Sequence, residues 1–444
     1  MRTPLIFLLI IALSVIASAQ KPDDVVATAT GHSFYYRELP VERLKAIDEL
    51  PTRLREARRQ LYDEMINRRL LDIEARANKT TVRALMTAEK AKVPAPTEAE
   101  IKAVFDANQE KLGGQPIETV RPQIVAYLRA QAEQKALTTF FSSLRSKYKY
   151  VAGKDINSVG LSGPDVIATV NGQAVTAREF DDLARVDLYN IKAAVADQTL
   201  DDLYNLIANA LVADEAKALG IGADALLARE ITDKMKDFSD EERDELTNSL
   251  RKRLFAKYNV KILYKEPSPL VQNISVDDDP ATGPINGPVT VVMFSDFQCP
   301  ACSAFHPMLK KAMASFPGKI RFVVRDYPLE TRHEHAFRAA QAAFAANAQG
   351  KFFEYADILY THQDALDDDS LRKYAEQLGL NAKQFDIDFN SERSAAEIRH
   401  DIADGDSYGV AGTPTIFVNG VSVRKYSVIG FRDAIERALT SSQK

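Results

Sequence analysis

The chain has 444 residues, 45% of them hydrophobic and 27% charged. This composition excludes a disordered or collagen-like chain, and the length allows about two to four domains. A net charge of −5 gives no ground for nucleic-acid binding.

The first residues read as a secretory signal. Arg2 precedes a largely apolar run, Leu5 to Ile16, and Ala17-Ser18-Ala19 forms a small-residue cleavage site. Residues 1–19 are therefore expected to be removed by a cut after Ala19, which places the mature chain in the periplasm or outside the cell. An uncleaved N-terminal anchor is the competing reading, although the run is short for a bilayer span. No cysteine stands directly after the site, so no lipoprotein-type anchor is expected.

A repeat comes next. Residues 24–39, DVVATATGHSFYYREL, align with residues 165–180, DVIATVNGQAVTAREF, at a constant offset of 141. Asp24, Val25, Ala27, Thr28, Gly31, Arg37 and Glu38 all recur. Each copy reads as a strand, a glycine turn, a second strand and a helix start. Tyr62, Ile66, Leu70, Ile73 and Ala77 then share a helix face in the first copy, as Leu203, Ile207 and Leu211 do in the second. A duplicated helical module explains both observations, with copies at 20–160 and 161–268. In the first copy Thr97 reads as a helix N-cap, and a long helix runs from about Glu118 to Tyr148. In the second, Ser239 caps a helix that runs to Tyr258.

Residues 269–288 read as a linker. They hold Pro269, Pro280, Pro284 and Pro288, Gly283, Gly287 and the acidic run Asp277-Asp278-Asp279. From Val289 the pattern becomes α/β. Val289 to Phe294 and Ile320 to Val324 are buried-strand runs, and Thr331 to His400 is largely helical. A hairpin turns at Asn419-Gly420, and a last helix covers Phe431 to Leu439. The expected fold class is thus multidomain: a mainly α-helical N-terminal half with two repeated modules, and an α/β C-terminal part with a helical insertion.

Cys299 and Cys302 are the two cysteines of the whole chain, in the stretch Phe297-Gln298-Cys299-Pro300-Ala301-Cys302. They follow a strand and open a helix. A sulfur at a helix N-terminus feels the positive end of the macrodipole and free backbone N–H groups, which lower its pKa from about 8.5. This makes Cys299 a nucleophile and Cys302 a resolving thiol, a redox-active pair that can exchange disulfides with a substrate. A structural disulfide here would close too short a loop to stabilise the chain much. A structural zinc site would need four ligands, and one nearby His306 does not complete the set. His306 is read as packing. Asp296 would either raise the thiol pKa by charge repulsion or cap the helix. His333-Glu334-His335 is not a metal motif and reads as a solvated helix start, and Asp367 reads as another helix start. No metal or other cofactor is expected.

The C-terminal part resembles the DsbA-like thioredoxin-fold family, through Phe294-Ser295-Asp296-Phe297-Gln298-Cys299-Pro300-Ala301-Cys302 and the distant Val410-Ala411-Gly412-Thr413-Pro414-Thr415. The resemblance implies a thioredoxin fold over 289–444, with Pro414 as a cis-proline facing the cysteines and Thr413 and Pro414 docking substrate. An ordinary turn is the plain alternative for Pro414. The N-terminal half resembles the SurA-like, parvulin-type foldases, through Val170 to Gln173, Arg178-Glu179, the run 96–101 and the helix after Glu118. Only Leu112 to Ile117 lies where that family often carries an isomerase domain, so prolyl isomerase activity is not implied.

Together these imply an extracytoplasmic protein thiol–disulfide oxidoreductase acting on unfolded or partly folded exported proteins. A membrane or soluble redox partner would recycle it. The helical modules would hold clients, or serve as structural or dimerising elements that allow a homodimer. An isomerase or reductase of the same fold is an alternative. So is a periplasmic chaperone whose thioredoxin domain only binds clients, although binding alone has no need of the thiols.

Overall fold

The computed structural model describes residues 22–441, so the expected signal at 1–19 lies outside the described residues. In chain order, strands β1 (Val25–Ala29) and β2 (His32–Tyr35) lead into helices α1 (Val41–Ala77), α2 (Val82–Ala91), α3 (Glu98–Ala107) and α4 (Ile117–Lys147). Strands β3 (Val151–Ala152), β4 (Val166–Val170) and β5 (Gln173–Thr176) precede α5 (Ala177–Ala218), α6 (Ala223–Glu230) and α7 (Asp240–Lys257). Then come β6 (Lys261–Ile262), β7 (Ala281–Thr282), β8 (Val289–Ser295), α8 (Pro300–Ala314) and β9 (Ile320–Asp326). Helices α9 (Ala336–Asn347), α10 (Phe352–Thr361), α11 (Asp368–Gln377), α12 (Ala382–Phe389) and α13 (Glu392–Ser407) are followed by β10 (Thr415–Val418), β11 (Val421–Ser422) and α14 (Val428–Ser441). Among the described residues, no helix is long and apolar enough to cross a membrane.

Two compact units form. One is Ala46–Lys192; the other joins the chain up to Lys45 with everything from Ala193 onward. In the first, Ile66 and Leu70 of α1 and Leu144 of α4 bury against Ile167, Val170 and Val175 of the β4–β5 hairpin and Phe180 of α5. Strand β3 completes that sheet in the order β3-β4-β5. The buried Glu74 accepts from Lys147 Nζ, Tyr148 Oη and Asn78 Nδ2 at 2.6–2.7 Å, and the Lys147 bond holds its pKa below the usual range.

The second unit repeats this design. Hairpin β1–β2 pairs with β6, and Thr30 N donates to Tyr258 O at 2.7 Å, as Asn171 N donates to Tyr148 O in the other unit. Glu215 takes the place of Glu74, with Lys257 and Tyr258 as its donors. Each hairpin is thus completed by the helix-and-strand segment of the other repeat. The contiguous modules expected at 20–160 and 161–268 are therefore not the packing units. Helix length explains this. A 37-residue α1 is about 55 Å long, so the hairpin at its start cannot reach the chain that follows its end.

The C-terminal part is a five-stranded mixed sheet in the order β11-β10-β8-β9-β7. The central β8 and β9 run parallel from Val289↔Ile320 to Ser295↔Asp326, and β10 lies antiparallel to β8. One face, carrying Val289, Val291 and Met293, packs against α8, the insertion α9–α12 and α14. The other face, with Val292, Phe294, Val323 and Phe417, is covered by Ile274, Val276 and Tyr408.

The expected linker 269–288 is consequently a strap on this sheet. Val271 bridges to Val421, Gln272 N donates to Gly420 O at 2.9 Å, and β7 pairs with β9. Its acidic run is not solvated throughout. Asp279 is buried 3.0 Å from Arg325 Nε, and the same guanidinium meets Asp401 at 2.8 Å and Asp404 at 2.9 Å. Arg325 is fully buried, so removing it leaves the buried carboxyl groups of Asp279 and Asp401 without their cation. Arg325→Met is expected to cost about 3–5 kcal/mol in denaturant unfolding. A loss below about 1 kcal/mol would contradict this role for the strap.

Candidate active site

The site grows from the end of β8. Alternation along the strand turns Val291, Met293 and Ser295 to the helical face, and the chain then leaves the sheet through Asp296-Phe297-Gln298. Cys299 is the N-cap of α8, with Pro300 at N1, where its missing N–H is not needed. Cys302 lies in the first turn, fully buried, and Cys299 is almost so. Both are free thiols.

The two sulfurs sit in opposite environments. The Cys302 thiol, and then the N–H groups of Cys302 and Ala301, support negative charge on Cys299. They outweigh burial and push its pKa down to about 5. Burial, and then the neighbouring Cys299, push the Cys302 thiol up. Cys299 is a thiolate at neutral pH and Cys302 a protonated thiol.

Thr413 and Pro414 lie beside the first cysteine. The Thr413–Pro414 peptide bond is cis, and Cys299 Sγ lies 3.4 Å from Thr413 O. Tyr426 Oη donates to Pro414 O at 3.0 Å and stacks edge-on against Phe305 at 5.2 Å.

Asp296 holds the approach to the cysteines. Its buried carboxylate accepts from Gln298 N at 2.8 Å and Leu329 N at 2.9 Å, and pairs with His333 Nδ1 at 2.7 Å. It braces the loop rather than capping α8, whose N-cap is Cys299. The segment His333-Glu334-His335 is therefore not simply a solvated helix start. His333 grips Asp296, and His335 N donates to Gln298 Oε1 at 2.7 Å. Gln363 Nε2 donates to Phe297 O and Cys299 O, each at 2.8 Å. These partners come from the insertion, and helical periodicity had no means of assigning them. His306 does pack, 4.8 Å from the Tyr360 ring, and burial pushes its pKa down to about 4, so it stays neutral.

What this arrangement can do is present one reactive sulfur beside the Thr413–Pro414 backbone, with a second sulfur held ready behind it. Ultraviolet titration of the reduced chain should show a thiolate transition near pH 5 that Cys299→Ser abolishes. An acid whose pKa is depressed on folding stabilises the fold above its unfolded value, and that stabilisation is lost as pH falls. Relative to Cys299→Ser, the reduced chain should therefore gain stability between about pH 5 and pH 9. A transition near the ordinary value of 9 would contradict the geometry.

Comparison with known proteins bears on residues 275–437, which match the family model described as Thioredoxin. The match begins within the strap. Among curated proteins, Na(+)/H(+) antiporter NhaA 3 of Salinispora tropica is 40% identical over 151 residues, 34% of this chain and 23% of that protein. Na(+)/H(+) antiporter NhaA 1 of Mycolicibacterium gilvum is 37% identical over 153 residues, 34% and 25% of the two chains. The chain thus spans about a quarter of the length of these relatives. A thioredoxin-like oxidoreductase from Silicibacter pomeroyi is 28% identical, covering 36% of this chain and 92% of that one, with a TM-score of 0.34. BdbD from Bacillus subtilis, in its oxidised form, is 21% identical, covering 39% and 100%, with a TM-score of 0.36. The C-terminal part of the chain, with its mixed sheet, helical insertion and family match over 275–437, has a thioredoxin-like fold.

Proposed function

We propose that the chain is a thiol–disulfide oxidoreductase that donates disulfides to unfolded or partly folded exported proteins. The observation that carries this reading is the opposed electrostatics of Cys299 and Cys302 beside Thr413. In the oxidised protein a client thiolate attacks Cys299 Sγ, the less buried sulfur, and Cys302 leaves and takes up a proton. A second client thiolate attacks the client sulfur of the mixed disulfide. Cys299 then departs as a thiolate, and its low pKa makes it a good leaving group. Stabilising the reduced form in this way favours oxidation of the client over its reduction. Isomerase or reductase work of the same site is the second reading.

The helical half, whose sequence resembles the SurA-like foldases, is proposed to hold clients near the sulfur, raising their effective concentration. Contacts within the discontinuous unit support the proximity. Arg424, just beyond β11, meets Asp197 of α5 at 2.5–2.9 Å, Lys425 pairs with Asp201, and Lys311 of α8 meets Glu241 of α7 at 2.7 Å. An extracytoplasmic location, through the N-terminal signal, supplies the oxidising compartment, and a membrane or soluble partner would reoxidise the pair.

Oxidised protein mixed with a reduced, unfolded protein should consume client thiols. Cys302→Ser should accumulate a mixed disulfide at Cys299, and Cys299→Ser should abolish the reaction. Undiminished oxidation by Cys299→Ser would contradict the proposal. Deleting residues 20–265 should leave exchange with a small dithiol intact but slow it on the unfolded protein. Equal rates on the unfolded protein would remove the client-holding role.

A further inference from the structure

A short tether and a row of charges join the thioredoxin-like part to the helical half. Leu263 N and Tyr264 N both donate to Val26 O on β1, at 2.9 and 3.0 Å, and the strap begins with the bridge at Val271. Residues 265–270 between them hold Pro267 and Pro269 and no helix or strand, and they span at most about 20 Å. The two apolar clusters of the thioredoxin-like part described above draw on residues from 274 onward and on none of the helical half. Charged side chains do cross to it. Arg424 meets Asp197 through Nε and Nη2 at 2.5 and 2.9 Å, and Lys425 pairs with Asp201, both partners lying on α5. Lys311 of α8 meets Glu241 at 2.7 Å and Arg432 of α14 meets Glu245 at 3.1 Å, both on α7. One link has the opposite polarity, Lys252 of α7 facing Asp433 and Glu436 of α14 at 3.8 and 3.7 Å. All of these side chains are partly exposed.

The first repeat lacks most of this acidic face. At the constant offset of the repeat, Asp197 and Asp201 stand where Glu56 and Gln60 stand in α1. Aligned on Lys147-Tyr148 and Lys257-Tyr258, Glu241 and Glu245 stand where Gln131 and Lys135 stand in α4. All four first-repeat residues are exposed. Three of the four carboxylates thus occur in the second repeat alone, and at one position the first repeat carries a cation. Solubility alone would charge the two repeats alike, whereas docking charges one of them.

We infer that the acidic face of α5 and α7 is an electrostatic dock for the basic edge of the thioredoxin-like part, Lys311, Arg424, Lys425 and Arg432, and that added salt opens it. Exposed pairs are individually weak and are screened by salt, so several together hold the part at low salt and release it onto its tether when screened. The amides of Gln60 and Gln131 and the like charge of Lys135 keep the same basic edge from choosing the first repeat. The dock also bears on the redox site. Arg424 and Lys425 directly precede Tyr426, whose Oη accepts from Ile416 N at 3.3 Å and donates to Pro414 O at 3.0 Å, beside Thr413 and Cys299. The inference goes beyond the exchange reading and stands whether or not the cysteines exchange disulfides.

The test is small-angle X-ray scattering of the full-length reduced chain, with circular dichroism to follow helix content. Raising salt from about 0.1 M to about 1 M shortens the Debye length from about 10 Å to about 3 Å, and the radius of gyration should rise. Asp197→Lys with Asp201→Lys should give the enlarged radius already at the lower salt. Adding Arg424→Glu and Lys425→Glu to that variant restores opposite charges and should return the parent radius. The matching first-repeat change, Glu56→Lys with Gln60→Lys, should leave the radius unaltered. A radius that is independent of salt, and equal to the parent's in Asp197→Lys with Asp201→Lys, would overturn the inference. Should that variant lose helix content, Arg424→Glu with Lys425→Glu decides in its place, by the same enlargement or its absence.

Discussion

One helix turn separates Cys299 from Cys302, and across that turn the electrostatics reverse. Cys299, nearly buried itself, stands at the N-terminus of α8, where backbone N–H groups have no helical partner and receive its negative charge. Cys302 looks inward to a core of Met293, Phe297 and Leu309, where charge is costly. The asymmetry requires α8 to start at one defined residue and Cys299 to stay against Thr413. Much of the surrounding structure serves those two conditions.

The first condition is met from the insertion. Asp296, a buried carboxylate with three donors, ties the loop before Cys299 to Leu329 and His333, while Gln363 takes the two carbonyls on either side of Gln298. The second is met from the sheet. Strand β10 pairs with β8, so Thr413 and Pro414, just ahead of it, must lie beside the end of β8 where the cysteines begin. The strap reinforces the same sheet from its other face, through Arg325 and the acidic run.

The cysteine pair, the strand before it and the Thr413-Pro414 motif were all legible in the sequence, because residue type and spacing carry them directly. So were the caps at Thr97, Ser239 and Asp367, where a side-chain oxygen accepts from the first turn. The hairpin at Asn419-Gly420 was equally plain, and both turn residues adopt positive φ. The repeat was legible as a repeat, but its exchange of hairpins was not. Periodicity marks which residues of a strand are buried and says nothing of which segment buries them. The strap was misread because its prolines and glycines also fit a free linker. Gly283 is required for a different reason, since a Cβ there would collide with Ile320 O on β9. His333 escaped notice because it was judged by helix-face geometry, whereas it lies in the turn before α9.

The central claim is that the fold stabilises the reduced pair through the Cys299 thiolate. It is tested most directly by the reduction potential of the Cys299–Cys302 couple, measured on the full chain against glutathione buffers. A Cys299 pKa near 5 lies between those of thioredoxin, about 7, and DsbA, about 3.5. The potential should accordingly fall between about −270 mV and about −120 mV, the values of those two proteins, on the oxidising side of thioredoxin. A potential at or below about −270 mV would contradict the account and make the pair a reductant.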